Sequence, residues 1–288
     1  MSILALGLIV ISAFMHATWN YLAKQSKSGF SFVWLYTLIG TIVYIPAVAV
    51  VLKVQDVSFG WMEAAFILGS ALIHIAYALT LQKGYKIGDF SLVYPVARGT
   101  GPMIVAIAAV FIYDEHLTTL GTIGVVFIIG SIFVITGGFQ AIRDAKTLVP
   151  LLYGLLIGLF ISGYTLLDKG AVSVMLISPI ILNYGSNLMQ LIILGPIAKR
   201  RWGDIRHDWK YHRKEAIGVG ILSPLAYILV LTAMSFTQVS HVAPVREISI
   251  LIGTMIGTRI LKEGFGTRRI IAASTMVIGV IAVALSGG

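Results

Sequence analysis

The sequence predicts an all-α integral membrane protein with ten transmembrane helices in two inverted five-helix repeats. Of its 288 residues, 58% are hydrophobic and 11% are charged, and the mean hydropathy is +0.93. A soluble domain does not expose that much apolar surface, so the surrounding solvent is a lipid bilayer. The apolar runs are continuous rather than alternating, and the charged residues are distributed asymmetrically. Together these observations favour a helical bundle with little mass outside the membrane.

Ten apolar stretches are long enough to cross a bilayer, which takes about 20 helical residues. We number them spans 1 to 10, at about 3–23, 30–52, 60–82, 90–112, 117–138, 149–171, 177–198, 215–237, 240–260 and 268–286.

The positive charges predict the orientation of the spans. Seventeen of the 21 Lys and Arg residues fall in or beside the loops after spans 1, 3, 5, 7 and 9, whereas the opposite face holds only Lys53 and Lys169. Because cytoplasmic loops are enriched in Lys and Arg, we expect a plasma or inner membrane protein with both termini non-cytoplasmic. Residues 1–15 lack a basic start, so we interpret them as part of a retained first span.

A net charge of +9 also raises the possibility of a nucleic-acid partner. The basic residues of the longest loop, 199–214, alternate with Trp and His. We interpret this segment as a cytoplasmic loop on anionic lipid headgroups and expect no nucleic-acid partner.

The two halves of the chain resemble each other at an offset of about 145–150 residues. Trp19 aligns with Tyr164, Lys24 with Lys169, Tyr77 with Tyr227, Pro95 with Pro244 and Glu115 with Glu263. Five spans per half is an odd number, so the second half enters the membrane inverted. We therefore divide the chain into repeats at 1–140 and 149–288. Such architectures place the substrate near the midplane between the halves.

Polar residues on one helical face predict which spans face a cavity or a neighbouring helix. Span 1 carries Ser12, His16 and Asn20 with Trp19 alongside. The other polar faces are on span 3, with Ser70, His74 and Tyr77, and on span 7, with Asn183, Asn187 and Gln190. Each histidine is either a satisfied interhelical hydrogen-bonding group or a proton carrier.

Charged residues in spans 4 and 9 are the main candidates for a substrate site. Arg98 follows Tyr94-Pro95-Val96-Ala97, and Arg246-Glu247 follows Ala243-Pro244-Val245. A charge near the bilayer centre costs at least about 2.5–3.5 kcal/mol unless it meets water or a partner. Two interpretations stay open: the arginines clamp a carboxylate, phosphate or phosphonate, or they form an ion pair with Glu247 that joins the repeats. Pro95, Pro102 and the intervening glycines predict that span 4 unwinds near Arg98.

Other polar and glycine motifs have simpler interpretations. Trp19, Tyr94, Tyr164 and Tyr227 either stack on a substrate or pack in the core. Asp114-Glu115-His116 fits carboxylates at the start of span 5 better than a metal site, so no metal or cofactor is predicted. The pairs Gly154/Gly158 and Gly253/Gly257 permit close helix contact. Spans 5 and 10 are nearly free of polar groups and suit an outer scaffold or a homodimer contact.

These motifs resemble the EamA-type transporters of the drug/metabolite transporter superfamily. The resemblance rests on His16-Ala17-Thr18-Trp19-Asn20, Tyr94-Pro95 through Pro102, Glu115-His116-Leu117-Thr118, and the second copy from Ala243-Pro244 to Lys262-Glu263. It implies two inverted repeats, a central cavity and alternating access. The second half has Ile161 where the first has His16, so we expect an asymmetric site.

We therefore expect a secondary transporter of a small anionic or zwitterionic metabolite, such as an amino acid, another carboxylate or a phosphonate, and not an enzyme. Proton coupling, if present, would use Glu247 or His16. The alternatives are an exporter of cationic or amphipathic solutes and a lipid headgroup flippase. The expected substrate-binding residues are Arg98, Arg246, Glu247, His16, Trp19, Asn20, Tyr94, His74, Tyr77, Tyr164, Asn187 and Tyr227.

Overall fold

The computed structural model describes residues 3–54, 60–113, 118–138, 144–173, 175–236, 247–264 and 266–286. Within these ranges every regular element is a helix. The helices are α1 (Ile3–Ser26), α2 (Phe30–Val43), α3 (Ile45–Val54), α4 (Trp61–Ile87), α5 (Phe90–Tyr113), α6 (Thr119–Thr136), α7 (Ala145–Ser173), α8 (Pro179–Arg200), α9 (Trp202–Phe236), α10 (Ile248–Met255) and α11 (Gly266–Ser286). A π-helical turn, Ile256–Ile260, continues α10.

The apolar helices confirm a multi-pass membrane protein. Among the described residues, six helices are long and apolar enough to cross a bilayer. Helices α2 and α3 make a seventh candidate, bent by 46° at Tyr44. The predicted total of ten spans stays a prediction.

Two local predictions are wrong. The predicted loop 199–214 is helical, and α9 runs from Trp202 with a kink at His212 (φ −126°, ψ 23°). This amphipathic start is held by a buried face: Asp208 accepts hydrogen bonds from the Ser28 hydroxyl at 2.6 Å and the Ser31 hydroxyl at 2.5 Å. Basic and aromatic residues occupy its exposed face, and this composition made the segment look like a loop.

The predicted unwinding of span 4 is also wrong, because α5 is helical through both prolines. Its glycines instead permit close packing. A β-carbon at Gly99 would collide with the Met276 side chain, and one at Gly101 would lie 2.9 Å from Ile161 Cγ2. The glycine-proline composition therefore reflects crowding around α5 rather than a break in it.

The helix contacts come in related pairs: replacing each helix by its equivalent in the other half of the chain turns one contact into another that is also present. Helix α1 packs on α9 as α7 packs on α4, and α5 packs on α7 as α10 packs on α1. Helix α5 packs on its own equivalent, α10, and α6 packs on its own equivalent, α11. Elements from both halves therefore interleave around a common centre.

Glycines set the closest helix approaches. A β-carbon at Gly124 of α6 would lie 2.6 Å from the Gly279 carbonyl oxygen of α11, and the reverse distance is 2.8 Å. Spans 5 and 10, predicted as scaffold or dimer contact, thus pack on each other. Both small-residue pairs face α5: Gly154 and Gly158 meet Val96 and Thr100, while Gly253 and Gly257 meet Tyr94 and Ser91.

Glu263 ties the two halves together at the start of α5. Its carboxylate accepts hydrogen bonds from the Phe90 amide (2.6 Å), the Ser91 amide (2.7 Å) and the Ser91 hydroxyl (2.6 Å). Arg269 donates to the same hydroxyl and lies 2.8 Å from Asp89. A carboxylate at a helix N-terminus satisfies free amides and complements the helix dipole.

We expect Gly124→Ala to lower the free energy of unfolding by about 1–3 kcal/mol, since the new methyl group meets backbone that has no room to move. Gly130→Ala on the same helix is the matched control, because nothing lies within 4 Å of its β-carbon. Thermal unfolding of the purified proteins measures the difference. Equal midpoints for the two variants would refute the close α6–α11 contact.

Glu263→Ala leaves buried α5 amides without acceptors, so we expect a loss of about 1–3 kcal/mol. Glu63→Ala is the control, because Glu63 caps α4 through one solvent-exposed backbone bond, Gly60 N to Oε2 at 2.9 Å. It should lose no more than about 1 kcal/mol. Denaturation of both variants in the same detergent gives the comparison, and an equal loss would remove Glu263 from its linking role.

Candidate functional site

A polar cavity lies among α1, α2, α4, α5, α7, α8 and α9. The space between its walls, counted together with its open mouth, is about 830 Å³. It is lined by His16, Trp19, Asn20, Tyr36, Thr37, Gly40, His74, Tyr77, Ala78, Arg98, Tyr164, Asn183, Asn187, Gln190, Val219, Gly220, Ser223, Pro224 and Tyr227. Both halves of the chain contribute to this wall.

Arg98 and Glu247 form a buried ion pair beside the cavity. Arg98 Nη2 lies 3.2 Å from both carboxylate oxygens of Glu247. The two residues are 6% and 1% exposed, so this pair is shielded from water. Both contacts use the same nitrogen, and Arg98 Nε has no hydrogen-bond partner among the described residues. The pair neutralises the two charges and leaves Arg98 with further donors.

The polar face of α1 is held by a short hydrogen-bond chain. Trp19 Nε1 donates to His16 Nδ1 at 3.1 Å, and Asn20 Nδ2 donates to the His16 carbonyl at 2.7 Å. Tyr85 of α4 donates to Asn20 Oδ1 at 2.6 Å. Since indole is only a donor, His16 Nδ1 is an acceptor and its proton is on Nε2. This chain fixes the side chains that α1 presents to the cavity.

An aromatic and acidic cluster connects α4, α7 and α9. His74 stacks on Tyr164 with ring centroids 4.4 Å apart, and Tyr77 meets Tyr164 edge-on at 5.5 Å. Tyr227 donates to Asp168 Oδ2 at 3.1 Å. His74 Nε2 lies 4.0 Å from the same oxygen.

Nine of the predicted substrate-binding residues line this cavity: His16, Trp19, Asn20, His74, Tyr77, Arg98, Tyr164, Asn187 and Tyr227. Glu247 lies outside the described lining and reaches the site through Arg98. Tyr94 is not among the described lining residues either. Its ring stacks on Phe90 at 5.1 Å and packs against Gly253, which is a packing position.

Two sequence candidates lie outside the described residues, namely Arg246 and the Asp114-Glu115-His116 motif. Across the described part of the chain, no group of three or more His, Cys, Asp or Glu side chains is arranged to hold a metal ion.

Sequence reasoning missed Asp168, Tyr36 and Ser223. Asp168 follows Tyr164 by four residues, so both share one face of α7. That spacing, with a carboxylate in an apolar span, was the available signal. Ser223 stands singly among apolar neighbours and Tyr36 adjoins only Thr37, so their spacing gives no comparable signal.

Comparison with known families decides the relationship. The model of the EamA-like transporter family matches residues 3–137 and again 148–285. The chain belongs to the EamA-like transporter family. This confirms the predicted resemblance to EamA-type drug/metabolite transporters and shows a two-repeat membrane transporter.

The fold is shared with a solved structure. A crystal structure with 14% sequence identity to this EamA-like protein has a TM-score of 0.63, over 98% of this chain and 99% of the other. At that identity the likeness shows the fold alone. A comparison with curated protein sequences gives no significant match.

We expect strong coupling between Arg98 and Glu247 in a double-mutant cycle. Arg98→Met or Glu247→Met alone leaves a buried charge unpaired and should cost about 3–5 kcal/mol. The double variant should cost less than the sum of the two. The exposed pair Arg201–Asp204, at 2.7 Å, is the control and should show coupling of at most about 1 kcal/mol. Thermal unfolding supplies all the values, and additive losses at Arg98 and Glu247 would contradict a buried pair.

Proposed function

We propose that this protein is a secondary transporter of a small anionic or zwitterionic metabolite, with the described cavity as its substrate site. The observation that carries the proposal is Arg98, a buried guanidinium at the wall of a polar cavity with donors beyond its bond to Glu247. Guanidinium groups match the oxygens of carboxylates, phosphates and phosphonates.

The other lining groups fit the rest of a small polar molecule. Asn183, Asn187 and Gln190 offer amide donors and acceptors from α8. Trp19, Tyr77, Tyr164 and Tyr227 offer aromatic ring faces. A site with a few polar groups among aromatic walls is typical of small-molecule recognition.

Alternating access fits the way the halves meet. We place the repeats at residues 1–140 and 149–288, inverted relative to each other, with both termini on the non-cytoplasmic face. The exchange pattern of helix contacts supports this symmetry. Rocking of one repeat against the other would open the cavity to each side in turn.

The observed ion pair bears on the cationic alternative. A cation binder needs Glu247 free of arginine, and Glu247 instead contacts Arg98 at 3.2 Å. The aromatic wall suits either charge type, so the pairing of Glu247 favours the anionic or zwitterionic class. A headgroup flippase is distinguished by its ligand, which the following assay includes.

We expect a carboxylate, phosphonate or amino acid to stabilise the purified protein against heat, by about 2.7 kcal/mol at 100 times its Kd. The panel also contains organic amines and short-chain phospholipids. Arg98→Lys keeps the charge but loses the planar fork, and should weaken binding at least about tenfold. Arg259→Lys is the control, since Arg259 is exposed. Stabilisation by amines alone, or an unchanged response in Arg98→Lys, would overturn the proposal.

A further inference from the structure

Asp168 is a buried carboxylate in a membrane-spanning helix without a full set of partners. It is 3% exposed, and its Oδ1 atom has no hydrogen-bond partner among the described residues. Its Oδ2 atom accepts one hydrogen bond, from the neutral Tyr227 hydroxyl. An ionised carboxylate at such a position is costly unless it gains a positive charge or a proton.

The geometry of His74 fixes which ring nitrogen carries its proton. Nδ1 lies 2.9 Å from the backbone carbonyl oxygen of Ser70. A carbonyl only accepts, so Nδ1 is the donor and Nε2 of a neutral His74 bears a lone pair. That lone pair is the group 4.0 Å from Asp168 Oδ2. Two acceptors 4.0 Å apart repel each other, and one added proton turns the contact into an attraction.

We propose that His74 and Asp168 form a proton-binding pair in the cavity wall that holds one exchangeable proton. The proton binds to Nε2 of His74, facing an ionised Asp168, or to Asp168, facing a neutral His74. In both forms the proton lies between His74 and Asp168, so their lone pairs no longer face each other. The coupling of this proton to a transported solute rests on the proposed transport function, whereas the proton site itself does not.

The pair is better placed than the two proton carriers expected from the sequence. His16 Nδ1 already accepts the Trp19 indole hydrogen, so a second proton there would break that bond. Glu247 is held by the permanent positive charge of Arg98. His74 instead lines the cavity, which gives its proton a route to water.

The neighbouring helices supply few other charges. The titratable or charged groups around the pair are Tyr77 on α4 itself, Tyr164 and Lys169 on α7 and Tyr227 on α9. The rest of the cavity lining adds His16 on α1, Tyr36 on α2 and Arg98 on α5. Helix α8 faces His74 with neutral Ser186, Asn183, Asn187 and Gln190.

Charge balance gives this proton a role in transport. Among the described residues, Arg98 and Glu247 cancel, and Asp168 contributes one negative charge to the cavity region when the pair has released its proton. An anion entering alone would make it two. An anion that enters with one proton on the His74–Asp168 pair leaves the charge unchanged, so the structure favours movement of anion and proton together.

The test is infrared difference spectroscopy of the full-length protein in lipid vesicles between acidic and alkaline buffer. It needs no substrate, so failure of the transport proposal leaves its outcome intact. On acidification the wild type should gain either a protonated-carboxyl band that Asp168→Asn lacks or an imidazolium band that His74→Gln lacks, according to which residue holds the proton. Loss of the other partner should move the midpoint of that band by about one pH unit or more, because interacting groups titrate together. Asp204→Asn, at an exposed position, should leave the band unchanged.

Tyr227→Phe is a second variant that removes only the hydroxyl donor, and it should also move the midpoint. All variants are first checked for the elution volume and helix content of the wild type. The proposal would be overturned if the spectra of Asp168→Asn and His74→Gln both matched the wild type, or if loss of one partner left the midpoint of the other unmoved. The titration is repeated with sodium replaced by choline. A midpoint that shifts with sodium would assign the site to a metal cation instead and overturn the proton assignment.

Discussion

A buried pair of opposite charges organises this molecule. Arg98 on α5 and Glu247 at the start of α10 lie 3.2 Å apart, and neither belongs in hydrocarbon without the other. Removing two ions from water costs several kcal/mol each, so such a pair persists only where the surrounding packing holds it in good geometry. The pair also connects the two repeats of the chain. It therefore places a polar wall at the junction of the two repeats.

The packing around α5 provides that geometry. Gly154 and Gly158 bring α7 against one side, and Gly253 and Gly257 bring α10 against another. Glu263 fixes its first turn by three short hydrogen bonds from Phe90 and Ser91. With its neighbours held this closely, α5 stays helical through Pro95 and Pro102. Its position, and with it that of Arg98, is set by contacts with both halves of the chain.

Much of the site was predictable because helical periodicity carries over into a bundle. The spacing of His16 and Asn20, and the amides of α8, correctly marked faces that meet at one cavity.

Asp168 was missed because it lies near the end of an apolar stretch, where a charge usually reaches the interface. For Tyr94 the sequence left stacking on a substrate and packing in the core both open, since sequence spacing does not tell a ring that packs on Gly253 from one that faces open space. The basic segment 199–214 was predicted as a loop because its exposed basic and aromatic residues outnumber Asp208 and the other buried residues that hold the helix in place.

The central claim is that water reaches the centre of this bundle at the cavity. Since the chain has no cysteine, one introduced thiol reports on one position. Asn187→Cys lies on the cavity wall, and Ile129→Cys lies on the outer surface of α6, where its side chain is 54% exposed to the surrounding lipid. A charged, membrane-impermeant thiol reagent requires an ionised thiol in water. Applied to each side of the membrane, it should label Asn187→Cys from at least one side and leave Ile129→Cys unlabelled. Labelling at Ile129→Cys with none at Asn187→Cys would contradict the account.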